Sequence, residues 1–472
     1  MARENFPPPI IRKRADHPIS RRLIHPDALS VLYRLDQAGF TAYLVGGGVR
    51  DILLGRTPKD FDVCTDARPQ QIKRLFRNAF LIGRRFRLAL IRFPNSQIET
   101  STFRRQPESE GDVDDTQLGA LYQMEDNFFG TPAEDAHRRD FTINGLFYDI
   151  ATFSIIDYVG GLRDLERKII RCIGDPNIRF REDPVRMMRA VRFSARLGFR
   201  IHSDSLAAIE RHYAEISQAS RPRLFEEVLK LFGRGTSAEA FRLLWTTKLL
   251  SEIVPALHEF VQNSGRRRSP LWRYLEALDS LPESKASESP GFRLALLLCP
   301  LYMGRLQLLA KSCRSNPVDE ADRLVREVFV DAFASRAWRV PRAVADDSVA
   351  MLFSQANFDD FPHDGPRRSR AFSRPWFEGA VLLYRIRAMA TGGDVDDSEA
   401  WQSALDEFLR SHPPALGLTP DRDSSLLTAP NAGPRSAPSA PEPAALSAER
   451  DGEDADGPPR RRRHRPRHRR RH

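Results

Sequence analysis

The sequence predicts an α+β fold, in which a small mixed-sheet head is followed by an all-α neck and body and by a disordered basic C-terminal tail. Three observations lead to this prediction. Residues 44–63 have the pattern of an apolar strand, a glycine turn, a short helix and a second strand. From about Glu182 to about His412 the apolar period is mostly helical. Beyond Pro413 the chain is rich in proline, alanine, serine and charge without any apolar period, which is typical of disorder.

Length and composition indicate a folded chain of several domains. With 472 residues and 41% apolar content, the chain can build two to four cores. The sequence contains no run of eighteen apolar residues, and its first thirty residues lack the apolar core of a signal peptide. We therefore expect a soluble, cytoplasmic protein without a transmembrane segment. The cysteines show no paired metal-type spacing, which favours reduced structural thiols: Cys64, Cys172, Cys299 and Cys313.

The elements of the head follow from local patterns. Residues 1–28, rich in proline and arginine, are expected to form an N-terminal arm. An apolar period predicts a helix from Pro26 to about Gly39, and a second helix is predicted over residues 68–78. Two strands are predicted over residues 87–93 and 97–103, joined by a Pro-Asn-Ser turn. Together these elements make a small mixed sheet with helices.

The chemistry of the head is concentrated in a glycine turn and two aspartates. At Gly46, Gly47 and Gly48 the backbone can approach a bound group closely, and exposed N–H groups at a helix start attract phosphate. Asp60 and Asp62 are two residues apart on an extended segment, so both carboxylates should leave the same face. Carboxylate oxygens suit hard divalent cations such as Mg²⁺. A phosphate site beside a metal site points to phosphoryl or nucleotidyl transfer.

The spacing Gly-Gly-x-x-Arg-Asp, followed nine residues later by Asp-x-Asp, resembles the head of the class II nucleotidyltransferases. This group comprises the bacterial poly(A) polymerases and the CCA-adding enzymes. The resemblance is close over residues 43–231 and weaker to about residue 395. It implies that Arg50 and the glycine turn bind the triphosphate of a nucleotide substrate, and that Asp60 and Asp62 hold the metals as catalytic residues.

A third metal-facing carboxylate is expected, because two-metal transfer needs one to bind or activate the attacking hydroxyl. Two candidates exist, Glu99 on a neighbouring strand and Asp140 farther along the chain. Asp140 belongs to an Arg-Arg-Asp-Phe-Thr-Ile-Asn segment that closely resembles the corresponding segment of the family. The resemblance therefore places Asp140 in the active site as a catalytic residue, with Glu99 as second choice. It also implies that Arg139 and Asn144 lie near the phosphates and sugar of the nucleotide.

The neck carries a motif for base recognition. Residues 182–193 are predicted to open a helix with an acid at or near the N-cap and a proline in the first turn. Arginines recur there every three residues and form a basic stripe, for which a solvated face is the usual explanation. The segment also resembles the family motif Glu-Asp-x-x-Arg, whose acid and arginine hydrogen-bond the incoming base and can select adenine or cytosine over uracil. The implied nucleotide contacts are Asp183, Arg186, Arg189 and Arg192. The next neck helix, residues 221–231, is expected to be structural.

Two basic segments predict RNA contacts. Residues 81–91 resemble the sequence that marks poly(A) polymerases among their relatives, and its basic pair, Arg84 and Arg85, could guide an RNA end or simply form a basic turn. Nine of the last thirteen residues are arginines, and they account for all but one of the net +10 charges. Such a tail favours salt-sensitive, sequence-independent RNA affinity, with a solubility extension as the alternative. The tail arginines expected to bind RNA are Arg460, Arg461, Arg462 and Arg463.

Taken together, the resemblance implies a template-independent poly(A) polymerase that adds AMP from ATP to RNA 3′ ends with two Mg²⁺ ions. A tRNA CCA-adding or A-adding enzyme and a non-catalytic RNA-binding protein are the alternatives. RNA-decay proteins are candidate partners, and a monomer is favoured. The predicted domains are an arm (1–28), a nucleotidyltransferase head (29–170), a neck (171–235), an RNA-binding helical body (236–412) and the arginine-rich tail (413–472).

Overall fold

The structure, a computed structural model, describes eight stretches of the chain. They are residues 6–83, 88–105, 129–233, 235–312, 317–333, 339–356, 358 and 370–412. The predicted RNA-binding pair Arg84 and Arg85 lies outside the described residues. So do the tail arginines Arg460, Arg461, Arg462 and Arg463, together with the rest of residues 413–472.

An eight-stranded mixed sheet forms the centre of the head. Its spatial order is β1-β8-β7-β2-β3-β6-β5-β4. Every neighbouring pair is antiparallel except β3 with β6, which run parallel and bring Asp62 beside Glu99. The strands are β1 (Ile10–Arg12), β2 (Ala42–Val45), β3 (Asp62–Thr65), β4 (Ala79–Ile82), β5 (Leu88–Arg92), β6 (Gln97–Thr102), β7 (Leu146–Asp149) and β8 (Ser154–Asp157).

The head elements predicted from local patterns are present. The first predicted helix is α1 (Pro26–Gln37), which buries Val31, Leu32 and Leu35. A short helix, α2 (Gly47–Leu53), follows the glycine turn, and α3 (Pro69–Leu75) follows β3. The two strands predicted around the Pro-Asn-Ser turn are β5 and β6, which pair antiparallel. The α+β prediction for the head is therefore confirmed.

The N-terminal segment differs from the expected arm, because residues 10–24 are packed onto the head. β1 pairs with β8 and completes one edge of the sheet. Ile19 and Ile24 are buried, at 0% and 3% exposure. The strand β1 has only two apolar residues, Ile10 and Ile11, and follows three prolines, so its pairing with a distant strand leaves no local signal in the sequence.

A close backbone contact fixes the loop that follows β8. The Asp157 carboxylate accepts hydrogen bonds from the N–H groups of Val159, Gly161 and Leu162. A Cβ atom on Gly161 would lie 2.2 Å from the carbonyl oxygen of Thr142, so only glycine fits there. This contact holds α5 (Gly161–Glu166) against the 3-10 turn Thr142–Asn144 and so positions the Asn144 side chain.

From residue 176 onward the described chain is almost entirely helical, and the sequence predicts this from about Glu182. The strand β10 (Arg200–Ile201) interrupts the helices and pairs in parallel with the earlier strand β9 (Ile169–Ile170). One more helix, α4 (Pro132–His137), precedes β7 in the head. The helices after α5 are α6 (Pro176–Glu182), α7 (Val185–Leu197), α8 (Ser203–His212), α9 (Arg221–Leu229), α10 (Ser237–Thr246), α11 (Leu249–Ile253), α12 (Pro255–Asn263), α13 (Pro270–Ser280), α14 (Lys285–Glu288), α15 (Pro290–Ser312), α16 (Pro317–Phe333), α17 (Arg342–Ser354), α18 (Phe377–Thr391) and α19 (Val395–Ser411).

The helix α15 is the centre of the body. Within the described chain it is the one helix long and apolar enough, by length and composition, to cross a membrane, over Pro290–Leu309. However, 56% of that window is buried inside the protein, and the helix packs against α13, α16 and α17. Leu294, Leu296 and Leu298 are all 0% exposed. The apolar character of α15 is thus used in the core of the body.

Candidate active site

The glycine turn brings a guanidinium next to the start of a helix. Gly46 has φ +68°, a backbone conformation that favours glycine, and α2 begins at the next residue without a capping side chain. A Cβ atom on Gly46 would lie 3.1 Å from Nη1 of Arg139, and one on Gly48 would lie 3.5 Å from the Asp60 carbonyl oxygen. The turn therefore has Arg139 on one side and the aspartate segment on the other, with Gly47 between them in the first turn of α2.

Three carboxylates lie together beside this turn. Asp62 starts β3, Glu99 is its register partner on β6, and Asp60 precedes the strand by two residues. Burial raises the pKa of Asp62 to about 6, and the nearby charges of Glu99 and Asp60 add to the rise, while Arg139 opposes it. We call Asp60, Asp62 and Glu99 the carboxylate cluster. None of the three forms an ion pair with a residue that the structure describes, and concentrated negative charge of this kind is the electrostatic setting that a divalent cation requires.

The carboxylate cluster is not a complete metal cage. Among the residues that the structure describes, no group of three or more His, Cys, Asp or Glu side chains is arranged to hold a metal ion by itself. Mg²⁺ usually keeps several waters and binds through one or two carboxylates together with substrate phosphates. The donor set therefore fits a cation that shares its ligands with a nucleotide.

Arg139 is fixed by an aspartate that the sequence analysis did not identify. Asp135 on α4 is 0% exposed, and its carboxylate forms ion pairs with Arg138 at 2.8 Å and with Arg139 at 2.9 Å. It also accepts a hydrogen bond from the backbone N–H of Arg104 at 3.2 Å. The sequence did contain a signal, since an acid three and four residues before two arginines on a helix is well spaced to pair with both.

Asp140, the first choice for the third carboxylate, is engaged by protein groups through both oxygens. Its Oδ1 accepts from the N–H of Phe141 at 2.8 Å and from Nδ2 of Asn144 at 3.0 Å, and its Oδ2 accepts from Arg189 at 2.7 and 2.6 Å. Burial alone would raise the pKa of Asp140, but the ion pair with Arg189 and these hydrogen bonds lower it to about 2. Glu99, the second choice, is the candidate that lies beside Asp62.

Arg50 is also held by protein groups. It is 2% exposed, and its guanidinium donates to Asp51 at 2.8 Å and to Oδ1 of Asn144 at 2.6 Å. Its Cζ lies 5.2 Å from the ring centroid of Phe193 on α7. The guanidinium also borders the glycine turn, since a Cβ atom on Gly47 would lie 3.6 Å from Nη2 of Arg50, so Arg50 contacts both the turn and the neck.

The arginines of the neck stripe are paired, so a solvated face does not explain them. Glu227 on α9, 5% exposed, pairs with Arg192 at 2.8 Å, Lys230 at 3.2 Å and Arg189 at 3.6 Å. Glu227 was not among the predicted site residues, because its segment was expected to be only structural. A continuous path of ion pairs and hydrogen bonds, which we call the head-neck network, contains Asp51, Arg50, Asn144, Asp140, Arg189, Glu227 and Arg192.

The base-recognition motif is arranged differently from the expected helix cap. The helix α7 begins at Val185 with Pro184 as its N-cap, so the predicted acid, Asp183, lies next to the N-cap, but no side chain caps the helix. The Asp183 carboxylate instead pairs with Arg223 of α9 at 2.7 Å. Arg186 donates to the Arg179 carbonyl oxygen at 2.9 Å and to Glu182 at 3.2 Å. Asp183 and Arg186 therefore belong to one turn but have different partners.

Arg179 provides a second link between neck and head. Its Nη2 donates to the carbonyl oxygens of Arg138 and Arg139, at 2.6 and 3.0 Å. The guanidinium is buried, and its Nη1 pairs with Glu182 at 2.9 Å. The backbone around Arg139 is thus tied to the helix that precedes the base-recognition motif.

Comparison with known proteins identifies the family. The family described as "Poly A polymerase head domain" matches residues 42–171, and the one described as "Probable RNA and SrmB- binding site of polymerase A" matches residues 198–261. Poly(A) polymerase I of Escherichia coli O157:H7 is 39% identical over 383 residues, which are 79% of this chain and 81% of the relative. The chain belongs to the poly(A) polymerase family. Poly(A) polymerase I of Salmonella typhi is 38% identical over 406 residues, 85% of this chain and 86% of the relative.

The poly(A) polymerase family shares its architecture with CCA-adding enzymes. The CCA-adding enzyme of Geobacillus kaustophilus is 31% identical over 365 residues, 77% of this chain and 78% of the relative. The crystal structure of the Bacillus stearothermophilus CCA-adding enzyme in complex with CTP is 28% identical, covers 82% of this chain and 83% of that chain, and has a TM-score of 0.56. The predicted resemblance, the α+β fold and the identification as a nucleotidyltransferase are therefore confirmed.

Within this poly(A) polymerase fold, the predicted site residues fall into three groups. Beside the glycine turn lie Gly46, Gly47, Gly48, Asp60, Asp62 and Arg139. In the head-neck network lie Arg50, Asp140, Asn144, Arg189 and Arg192, and in the base-recognition turn lie Asp183 and Arg186. Their roles in binding and catalysis stay predictions.

Proposed function

We propose that this chain is a template-independent RNA adenylyltransferase, which adds AMP from ATP to RNA 3′ ends and releases pyrophosphate. The observation that carries the reaction class is the carboxylate cluster beside the glycine turn and Arg139, because it combines a cation site with a phosphate site. The relatives named Poly(A) polymerase I, at 35 to 39% identity over most of the chain, support poly(A) addition within that class.

In this proposal Asp60, Asp62 and Glu99 hold two Mg²⁺ ions. Glu99 replaces Asp140 as the third carboxylate, because it lies beside Asp62 while both oxygens of Asp140 have protein partners. A divalent cation fits this site because the charges of Glu99 and Asp60, which help to raise the pKa of Asp62, would be offset by the cation. When bound, the cations would lower the pKa of the attacking hydroxyl and offset the charge of the leaving pyrophosphate.

The triphosphate of ATP would bind the backbone of the glycine turn and the Arg139 guanidinium. The first N–H groups of a helix lack intrahelical partners and attract anions, and α2 has no capping side chain to compete for them. Asp135 holds Arg139 in place, so little side-chain entropy would be lost when Arg139 binds phosphate. Arg50 would act indirectly, by fixing Asn144 and the start of the neck.

The base of ATP would be recognised by Asp183 and Arg186 in the neck. A carboxylate accepts from the exocyclic amino group of adenine, and a guanidinium donates to its ring nitrogens. Since Arg223 and Glu182 pair with these two side chains, they would set their orientation before the nucleotide arrives. We accordingly assign residues 29–170 to a catalytic head, 171–235 to a nucleotide-selecting neck and 236–412 to a body that contacts RNA.

RNA binding by the body is supported by a basic and aromatic surface. Arg266, Arg267 and Arg268 form an exposed turn between α12 and α13. The Cζ of Arg266 lies 5.6 Å from the ring centroid of Trp245, which stacks on His258 at 5.9 Å. Exposed arginines next to aromatic rings are typical of surfaces that bind single-stranded nucleic acid. The family match described as an RNA-binding site ends just before this turn.

The test is the length of the product on a denaturing gel. Purified protein would be given Mg²⁺, a generic RNA primer or a tRNA, and ATP, CTP, GTP or UTP one at a time. A long ladder with ATP alone on the generic primer is expected. Addition of a few nucleotides, restricted to tRNA ends and including CTP, would instead establish a CCA-adding enzyme, which the similarity to the CTP-bound structure makes the second candidate.

A further inference from the structure

A cavity of about 280 Å³ lies on the head, away from the glycine turn. It is lined by Arg14, Ser20, Arg21, Tyr148 and Phe153, and we call it the arginine cavity. The strand β7 begins at Leu146, whose carbonyl oxygen accepts from the N–H of Gly46, and it runs away from that turn. Phe153 lies in the turn after the other end of β7, so the arginine cavity and the nucleotide site are at opposite ends of this strand.

His17, which is 7% exposed, holds the N-terminal segment against the end of the sheet that carries Phe153. Its Nδ1 accepts from the N–H of Ile19 at 3.2 Å, which assigns the proton to Nε2, and Nε2 donates to the Phe153 carbonyl oxygen at 3.0 Å. The imidazole also packs edge-on to the ring of Tyr148 at 5.9 Å. Arg14 and Arg21 flank this buried anchor, so their backbones are held on either side of the cavity.

Both guanidiniums are oriented by neutral groups. Arg14 donates to the carbonyl oxygen of His17 at 3.1 Å. Arg21 donates to the hydroxyl of Tyr33 at 3.0 Å, and its Cζ lies 5.3 Å from the ring centroid of Phe153. Each guanidinium has five N–H donors, and each of these contacts uses only one of them. The other N–H groups can donate to another acceptor.

The arginines of the cavity are not paired with carboxylates of the described residues, although exposed Asp16 lies in the same 3-10 turn as Arg14. Within the described chain, neither Arg14 nor Arg21 forms an ion pair with Asp or Glu. The nearest acid along β7, Asp149, accepts from the N–H of Ala151 at 2.9 Å and from the hydroxyl of Thr152 at 2.6 Å. The cavity therefore presents two positive charges, together with two hydroxyls and an aromatic ring.

We propose that the arginine cavity binds phosphodiester groups of RNA and is a second RNA contact, separate from the site of nucleotide addition. This inference rests on the proposed function, because it takes RNA to be the substrate of the protein. A guanidinium fork matches two phosphate oxygens, and the hydroxyls of Ser20 and Tyr148 can donate as well. The volume is about nine times the roughly 30 Å³ that one water occupies, enough for a phosphate and part of its sugar. Exposed Lys13 and Arg22 strengthen the positive field around the entrance.

The test compares two double variants with the same loss of charge in the same segment. Arg14→Gln with Arg21→Gln removes the cavity arginines, while Lys13→Gln with Arg22→Gln removes two exposed charges that do not line it. Binding of a long single-stranded RNA would be measured over a range of KCl concentrations. The slope of log affinity against log salt should fall by about 1.4 for the cavity variant, since each lost phosphate contact on a single strand contributes roughly 0.7. A smaller change is expected for the control variant, and equal slopes for both would overturn the proposal.

Two further measurements separate the other outcomes. Pyrophosphate, as a free phosphate probe, would be tested by the shift it causes in the thermal unfolding of each variant. A shift lost only in the Arg14→Gln, Arg21→Gln variant, together with equal salt slopes for RNA in both variants, would overturn RNA as the ligand in favour of a free phosphate. Adenylation of a short primer should be unchanged in both variants, which also reports that they fold. If wild-type protein adds no nucleotide to any RNA, the proposed function fails, whereas the slopes test the arginine cavity independently.

Discussion

Two partly buried aspartates of the head, Asp62 and Asp140, have opposite surroundings. Asp62 faces Glu99 and Asp60, and burial together with these like charges raises its pKa to about 6. Asp140 is bonded to Arg189, Asn144 and the N–H of Phe141, and these partners lower its pKa to about 2. Both residues lie in segments that resemble family motifs. An aspartate in a family motif can therefore either keep its charge available to a ligand, as Asp62 does, or use that charge to hold two parts of the fold together, as Asp140 does.

The largest effect is expected from Asp62→Asn. If the carboxylate cluster holds the metals, loss of this ligand should lower the rate of AMP addition by about a thousand-fold or more. The free energy of unfolding should be unchanged or higher, because repulsion from Glu99 is removed. Single-turnover AMP addition and urea unfolding would measure the two quantities. Asp66→Asn, an exposed aspartate just after the same strand, is the matched control. A near-normal rate for Asp62→Asn would disprove the metal assignment.

Asp140→Asn should act mainly on stability. It would leave Arg189 with only the more distant Glu227 as an ionic partner and should lower the free energy of unfolding at pH 7 by about 3 kcal/mol. Because the native pKa of Asp140 is lowered, its stabilising contribution is present above the unfolded pKa of about 3.9 and is lost as the pH falls towards about 2. Urea unfolding from pH 7 to pH 3 should therefore show a smaller acid loss for the variant. Unchanged stability with abolished transfer would return Asp140 to the catalytic role that the sequence favoured.

Glu99→Gln tests the surroundings of Asp62 by removing the charge of its neighbour rather than that of Asp62 itself. Mg²⁺ affinity should fall by about ten- to a hundred-fold, since a third carboxylate is lost. The pKa of Asp62 should fall towards its ordinary value, and the acid limb of the rate profile should move to lower pH. In wild type, ionising Asp62 is unfavourable in the folded state, so its effect on stability is most favourable below the unfolded pKa and weakens as the pH rises to about 6. Rates titrated with Mg²⁺ between pH 5 and pH 8 are the measurement. An unchanged Mg²⁺ dependence would exclude Glu99 as a ligand.

The smallest effect is expected at the glycine turn. Gly46→Ala should destabilise by about 1 to 2 kcal/mol, because φ is +68°. It should also raise the KM for ATP, because the new Cβ would displace Nη1 of Arg139 from 3.1 Å. Gly55→Ala is the control, since φ there is +69° but nothing lies within 4 Å of its Cβ position. Equal KM values for the two variants would show that only backbone strain matters, and that Arg139 is not at the triphosphate.

The sequence predicted those features that local patterns determine. The helix α1 and the hairpin of β5 and β6 follow from apolar periods and a turn, and they appear where expected. The choice between Glu99 and Asp140 depends on the register of parallel strands β3 and β6, which are distant in sequence. Glu227 was missed for the same reason, as its partners lie on another helix. The pairing of Asp183 with Arg223 was not predicted either, because Arg223 lies on another helix, α9.

The rings of Phe141 in the head and Phe193 in the neck meet edge-on at 5.8 Å, and the guanidiniums of Arg50, Arg189 and Arg192 surround Phe193 at 4.4 to 5.3 Å. This shared joint has a practical consequence for dissecting the enzyme. A fragment that ends between head and neck would expose an aromatic ring and would leave several charged side chains without their ionic partners. Head and neck therefore depend on each other for folding, and a hybrid protein with the neck of a relative would need all the residues of this joint from that relative.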